Sequence, residues 1–309
     1  MNMSFKAIDA DIPQNLKKMR DLYSDLFSDG KQYRGALVQM LSDEIGLDKD
    51  KSSVLSRTAE FIHNSSLLHD DVLDNSALRR GKTAAWKKYG GSYAILAGDY
   101  LLARVIKDLC VLSHLEIIEY TSETILELIE GEWLQDENFK QTDVKEDRLK
   151  EVHRLKTGAL FSWCFKAPFL LSNKDESDVA RACKVGEIFG HLLQRSDDLL
   201  DFDIRNFEKK EFFKDLPSGN LNLFAFNIIR DKDQKDKAYS FKTMKEFLEF
   251  YSIDLTTEVK KFDDESLAMI LELQNLIDEF DDFSKDFKDQ LKTMSQLIYW
   301  RTSDESKRY

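Results

Sequence analysis

The sequence predicts an all-α protein, and three observations carry that expectation. Its 309 residues include only 3 prolines and 12 glycines, too few punctuating residues for many short strands. Helix-compatible Leu, Lys, Glu, Asp, Phe and Ala dominate, and the apolar ones recur at spacings of three and four over long stretches. The most polar runs are themselves set among leucines that keep this helical period. A chain of this length can bury one large core or two, and a single domain over 1–309 with a charged tail from about 302 is the expectation.

In order, Leu16 to Phe27 and Tyr33 to Ile45 read as helices separated by the turn-like Ser28-Asp29-Gly30. A third helix is expected from about Leu55 to Leu73. Ala94 to Leu112, beginning after Gly90-Gly91, and Ser122 to Gln135 read as long core helices. The polar stretch Asp136 to Asp147 leads to a helix through Phe161, with a bend expected near Pro168. Val179 to Phe202 is one helix despite Gly186 and Gly190, whose propensity cost implies close packing or a ligand near the backbone. After a loop from Lys209 to Gly219, shorter helices run to about Tyr299. No internal repeat is visible beyond a duplicated acidic motif.

That motif is the most informative feature. Asp70-Asp71-Val72-Leu73-Asp74 ends the third helix, and Asp197-Asp198-Leu199-Leu200-Asp201 ends the helix from Val179. Helical spacing puts Asp70 with Asp74, and Asp197 with Asp201, on one face each. Such carboxylate pairs suit Mg²⁺, a hard cation commonly shared with substrate phosphates. Arg79 and Arg80, just behind the first pair, are the complementary anion-binding groups. The inventory suggests a diphosphate held through bridging metals. A lone acidic pair means little among 57 acidic residues, and Asp263-Asp264 and Asp281-Asp282 read as solvated faces. The two motifs differ from these because apolar residues flank both: Phe61, Ile62, Leu67 and Leu68 for the first, Leu192 and Leu193 for the second.

A formal charge of −12 disfavours nucleic acid and anionic membrane as general partners. Cys110, Cys164 and Cys183 are widely spaced in apolar stretches and read as buried thiols of a reducing compartment. Met1 to Gln14 lacks the apolar core of a signal peptide. No stretch approaches the roughly eighteen apolar residues of a membrane span. A cytoplasmic protein without a transmembrane segment is expected.

With these motifs in place, the chain resembles the trans-isoprenyl diphosphate synthases, the head-to-tail prenyltransferases. Gly30-Lys31-Gln32-Tyr33-Arg34 is similar to that family's GKxxR element, and His63, seven residues before Asp70, stands where it places a diphosphate-binding histidine. Arg79-Arg80-Gly81 follows the first aspartate-rich motif as in the family. Gly98-Asp99-Tyr100-Leu101-Leu102 resembles GDYLL, Gly131-Glu132-Trp133-Leu134-Gln135 resembles GExxQ, and Lys156-Thr157 the KT pair. Gln194 with Asp197, Asp198 and Asp201 completes QxxDDxxD. The ordered match runs from Gly30 to about Asn222.

The resemblance implies the isoprenoid synthase fold, helices around a deep apolar cavity, and a homodimer through helices in the Ala94 to Gln135 region. It implies Mg²⁺, three ions with bound diphosphate, with Asp70, Asp74 and Asp197 as leading ligands. Asp71, Asp198 and Asp201 would complete or orient the coordination. Arg79, Lys156 and Lys210 would grip an allylic diphosphate (dimethylallyl, geranyl or farnesyl), while Lys31, Arg34, His63 and Arg80 would grip isopentenyl diphosphate. Thr157 and Gln194 would line the reacting carbons. The implied reaction is 1'-4 condensation giving a long all-trans polyprenyl diphosphate.

Product length is expected to depend on the helix below Asp70, where Ser65 and Ser66 are small and Phe61, Ile62 or Trp133 would form a deeper floor. Geranylgeranyl or farnesyl diphosphate synthesis is the alternative. A terpene cyclase would not need the second diphosphate set, a head-to-head synthase lacks this Arg79 and Gly98 context, and a noncatalytic partner subunit would be expected to lose aspartates. One departure stands out: where the family reads GKDLxxGKxT, Asn220 replaces the second lysine and Asn222 the threonine. An amide donates hydrogen bonds but supplies no cation.

Overall fold

The computed structural model describes Ile12 and residues 15–28, 32–79, 82–202 and 212–302. Apart from one two-stranded ribbon, the regular elements among the described residues are helices, as the sequence predicts. The chain divides into two compact units, Met1–Ile125 with Trp163–Asp175, and Leu126–Ser162 with Glu176–Tyr309. Each carries one of the acidic motifs.

The first unit contains α1 (Lys17–Ser28), α2 (Tyr33–Glu44), α3 (Lys49–Leu73), α4 (Ala85–Tyr89), α5 (Gly91–Cys110) and the first part of α6 (Leu115–Glu137). The ribbon, β1 (Leu78–Arg79) and β2 (Lys82–Thr83), is antiparallel with Leu78 opposite Thr83. Leu37, Val38 and Leu41 of α2, Leu55 and Ala59 of α3, and Leu101 and Val105 of α5 form its core. The third helix starts at Lys49, well before the expected Leu55, because the Asp48 carboxylate accepts the backbone N–H groups of Asp50 and Lys51 at 3.0 and 3.2 Å. A cap of this kind contributes about 1 kcal/mol and extends a helix through polar residues that show no apolar period. α6 likewise starts at Leu115 rather than Ser122.

Gly98 sets how closely α3 and α5 approach. A Cβ there would lie 2.3 Å from His69 Nε2. The bare backbone instead lets the Ser65 hydroxyl donate to Gly98 O at 3.0 Å.

The second unit contains the last part of α6, α7 (Glu146–His153), a π-helical turn over Arg154–Gly158, the start of α8 (Ala159–Leu171), and α9 (Glu176–Leu200). α10 (Asp215–Ser218), α11 (Leu223–Ile229), a 3₁₀ turn (Lys235–Ser240), α12 (Met244–Tyr251), α13 (Leu255–Asp278) and α14 (Lys285–Trp300) follow. The expected loop to Gly219 therefore includes a helical turn, and the C-terminal part is not uniformly short, since α13 has 24 residues. α8 continues through Pro168 to Leu171. α9, α13 and α14 pack on one another, and α7 with the π turn packs on α9.

Gly186 and Gly190 do mark close packing. A Cβ at Gly186 would sit 2.5 Å from Ser162 Cα, and one at Gly190 would sit 2.6 Å from Gly158 Cα. The cysteines diverge from expectation: Cys164 is buried, Cys183 is intermediate and Cys110 is exposed, since it ends α5 beyond the packed face. Burial pushes the Cys164 thiol up to about 12, so it is inert as a nucleophile.

Candidate active site

In the first unit, α3 delivers the acidic motif at its C-terminal end. Asp74 caps the helix, its N–H donating to Asp70 O at 2.8 Å, so the carboxylates of Asp70 and Asp74 lie one turn apart on one face. Asp71 points elsewhere. It is buried, and its Oδ1 accepts from Arg79 Nε at 2.8 Å and also from Arg79 Nη2. The ribbon thereby ties Arg79 to the motif.

His63 is half-buried on the Asp70 face, seven residues back. Arg34 sits half-buried in the first turn of α2, next to Gly35, whose N–H donates to Glu60 Oε1 at 2.8 Å. Glu60 is 3% exposed, and its carboxylate anchors a helix start that has no side-chain cap of its own. Sequence reasoning missed Glu60, for an acidic residue in a helix is unremarkable until its partner is known. Lys31, Arg80 and Lys210 lie outside the described residues.

The expected chain-length positions separate. At about 100° per residue, Ser66 and His63 share the Asp70 face, while Ser65 lies about 140° away and Phe61 on the opposite side. Ser65 is fully buried on Gly98 of α5, and Phe61 packs its ring 5.9 Å from that of Phe27. Ser65 and Phe61 thus both make packing contacts within their unit. Ile62 is buried, and the Ser66 hydroxyl donates to His63 O. Trp133 is 69% exposed and forms no enclosed floor in its unit; with Leu126 and Ile129 it makes an outward apolar stripe on α6.

In the second unit, the KT pair lies on the π turn. π turns inserted in helices occur often at functional sites, since the extra residue reorients side chains. Lys156 Nζ donates to Gln135 Oε1 at 2.9 Å and pairs with Glu132 Oε1 at 2.5 Å, so the GExxQ segment holds the lysine. Thr157 donates to Gln194 Oε1 at 2.8 Å, and Gln194 Nε2 donates to Asp198 Oδ1 at 3.1 Å. Asp198 Oδ2 accepts from Leu223 N at 2.8 Å and lies 3.0 Å from His153 Nε2. Burial alone would raise Asp198, but the facing His153 and these hydrogen bonds hold its carboxyl below the usual range. His153 was not foreseen, because nothing in its local sequence marks it.

Asp201 Oδ1 and Oδ2 accept from the backbone N–H groups of Lys214 and Asp215 at 2.6 and 3.2 Å. Burial raises its pKa, and burial with the neighbouring Asp201 charge pushes Asp215 up to about 7. Asn222, where the family has threonine, caps α11 by accepting from Ala225 N at 2.8 Å and donates to Asp215 Oδ2 at 2.7 Å. Asn222 thus caps α11 and supplies a donor to the Asp215 carboxylate. Asp197 Oδ1 accepts from Arg301 Nη2 at 3.0 Å, a partner more than a hundred residues away that sequence reasoning also missed.

The donors suit Mg²⁺, since they are hard carboxylate oxygens. Among the described residues no group of three or more acidic, histidine or cysteine side chains forms a ready metal cage. Mg²⁺ is typically bound through one or two carboxylates together with substrate phosphates.

Helical architecture, GKxxR, two aspartate-rich helix ends and a KT pair on a π turn define a class, and the Polyprenyl synthetase family model matches residues 16–252. The chain belongs to that family. It is 30% identical over 174 residues to the octaprenyl diphosphate synthase of Escherichia coli (strain K12), a match covering 56% of this chain and 54% of that protein. It is 39% identical over 161 residues to a probable mitochondrial hexaprenyl pyrophosphate synthase of Yarrowia lipolytica, covering 49% of this chain and 35% of that protein. The match thus spans about half or less of these relatives' length. In fold, the chain is similar to a decaprenyl diphosphate synthase from Rhodobacter capsulatus, with TM-score 0.84, 24% identity and coverage of 95% and 93% of the two chains.

Proposed function

We propose that this protein is a Mg²⁺-dependent prenyltransferase that lengthens an allylic diphosphate by head-to-tail 1'-4 condensation with isopentenyl diphosphate. The observation that carries this reading is the pair of helix ends, Asp70 with Asp74 and Asp197, accompanied by cationic and amide groups suited to a diphosphate. Asp70, Asp74 and Asp197 would hold Mg²⁺, which would neutralise charge on the departing diphosphate. Asp71, Asp198 and Asp201 have protein donors on their carboxylates and would orient the ligands beside them.

Arg79, Lys156 and Lys210 bind the allylic diphosphate in this reading; Lys31, Arg34, His63 and Arg80 bind isopentenyl diphosphate. The allylic C–O bond breaks with its electron pair leaving on diphosphate, and the isopentenyl double bond attacks the resulting cation. The tertiary cation then loses a proton to the released diphosphate. The bonded Thr157–Gln194 pair would line the reacting carbons in this reading. Apolar walls exclude water that would quench the cation.

A long all-trans product is favoured by Ser66, a small residue one turn below Asp70, and by the relatives named for octaprenyl and hexaprenyl products. Geranylgeranyl diphosphate is the second reading. A homodimer fits the apolar stripe of Leu126, Ile129 and Trp133, each at least 48% exposed. A single functional domain in the cytoplasm completes the proposal; among the described residues no helix is long and apolar enough to cross a membrane. Incubation with Mg²⁺, farnesyl diphosphate and labelled isopentenyl diphosphate tests it, with products sized chromatographically. Label in an extended prenyl chain is expected, whereas farnesyl consumption without label uptake would point to a cyclase and overturn the proposal.

A further inference from the structure

Asp197 has a partner from the far end of the chain. α14 ends at Trp300, and Arg301 follows at φ 57, in the left-handed region. A non-glycine residue is strained there and persists where its contacts demand it. Arg301 Nε donates to Ser196 Oγ at 2.9 Å, and Nη2 donates to Asp197 Oδ1 at 3.0 Å. Ser196, 2% exposed, donates in turn to Tyr299 O at 2.8 Å, so one hydroxyl pins both the end of α14 and the guanidinium. The Tyr299 hydroxyl donates to Asp263 Oδ1 at 2.8 Å, tying this corner to α13.

We propose that Arg301 is a positioning residue for Asp197, fixing its carboxylate for Mg²⁺ bound with diphosphate. A carboxylate has about four acceptor sites, so a guanidinium bond and a metal can share it. Hydrogen-bonded partners of ligating carboxylates orient them and tune metal affinity. Arg301 also offsets part of the charge where Asp197, Asp198, Asp201 and Asp215 crowd together. Only a planar fork can serve Ser196 and Asp197 at once. The family match ends at residue 252, so this contribution lies outside it.

The inference rests on the proposed metal role of Asp197, and a binding experiment separates the two. Mg²⁺ binding in the presence of inorganic pyrophosphate is measured calorimetrically for wild type, Arg301→Ala, Arg301→Lys and Asp197→Ala. Arg301→Ala should raise the half-saturating Mg²⁺ concentration about tenfold. Arg301→Lys retains charge and length, so it carries the test if the alanine variant fails to fold; it should bind nearly as weakly as expected for alanine. Wild-type or tighter Mg²⁺ binding by a folded Arg301 variant, with Asp197→Ala defective, overturns the positioning role alone. Undiminished binding by Asp197→Ala overturns the parent reading.

Discussion

Replacing Gly190 by alanine tests the clamp between α9 and the π turn. The new Cβ would sit 2.6 Å from Gly158 Cα, 2.9 Å from Gly158 N and 3.0 Å from Thr157 O. All three are backbone atoms, so no side chain can swing aside. Ordinary carbon contacts lie at about 3.5–4.0 Å, which requires the elements to part by about 1 Å. Alanine gains about 1 kcal/mol of helix propensity over glycine. Overpacking of this kind costs about 1–3 kcal/mol, and the backbone obstruction places the cost at the upper end. The net expectation is destabilisation by about 1–2 kcal/mol.

A 1 Å separation would also stretch the 2.8 Å Thr157–Gln194 bond past hydrogen-bond reach. Misplacement on that scale can cost about a hundredfold in rate. Urea unfolding and steady-state turnover read the two effects, with Gly91→Ala as control because nothing lies within 4 Å of a Cβ there. A Gly190→Ala protein as stable as wild type and fully active would refute the reasoning.

Asp70→Ala and Asp197→Ala should each nearly abolish prenyl transfer while leaving the circular dichroism unfolding transition close to wild type; near-normal product from both would defeat the metal assignment. Ser65→Phe should destabilise the α3–α5 contact by about 1–3 kcal/mol, since that hydroxyl is fully buried on Gly98. Ser66→Phe, on the Asp70 face, should instead shorten the products seen by chromatography, and an unchanged distribution in a folded, active variant would exclude that face as the tail's path. Burial, with His153 alongside, lowers His191 from an ordinary 6.5 to about 3. The unfolded chain therefore takes up a proton first, and folding stability should fall as pH drops from about 6.5 towards 3. His191→Phe should flatten that dependence in acid unfolding; an equal slope would show that His191 does not contribute to it.

Much of the site was legible because its signals are local. Carboxylates at i and i+4 share a helix face whatever surrounds them, and a run such as Gly30 to Arg34 keeps its spacing in any fold. Gly186 and Gly190 also announced themselves, since glycine inside a helix needs a reason and the close backbone at Ser162 and Gly158 supplies it. Helix starts were less legible. Asp48 extends α3 by capping a polar turn, which apolar periodicity does not register.

The sequence by itself determined the all-helical class and the family, and it singled out the aspartates proposed as ligands, because backbone propensity and motif spacing act over a few residues. Only the tertiary structure decided the partners: Glu60 for Gly35, His153 for Asp198, Arg301 for Asp197, and Asn222 for Asp215. It also decided that the Ser65 hydroxyl meets Gly98 of α5. These depend on which faces meet after residues distant in sequence pack together, and side-chain hydrogen bonds across such faces leave no period in the chain.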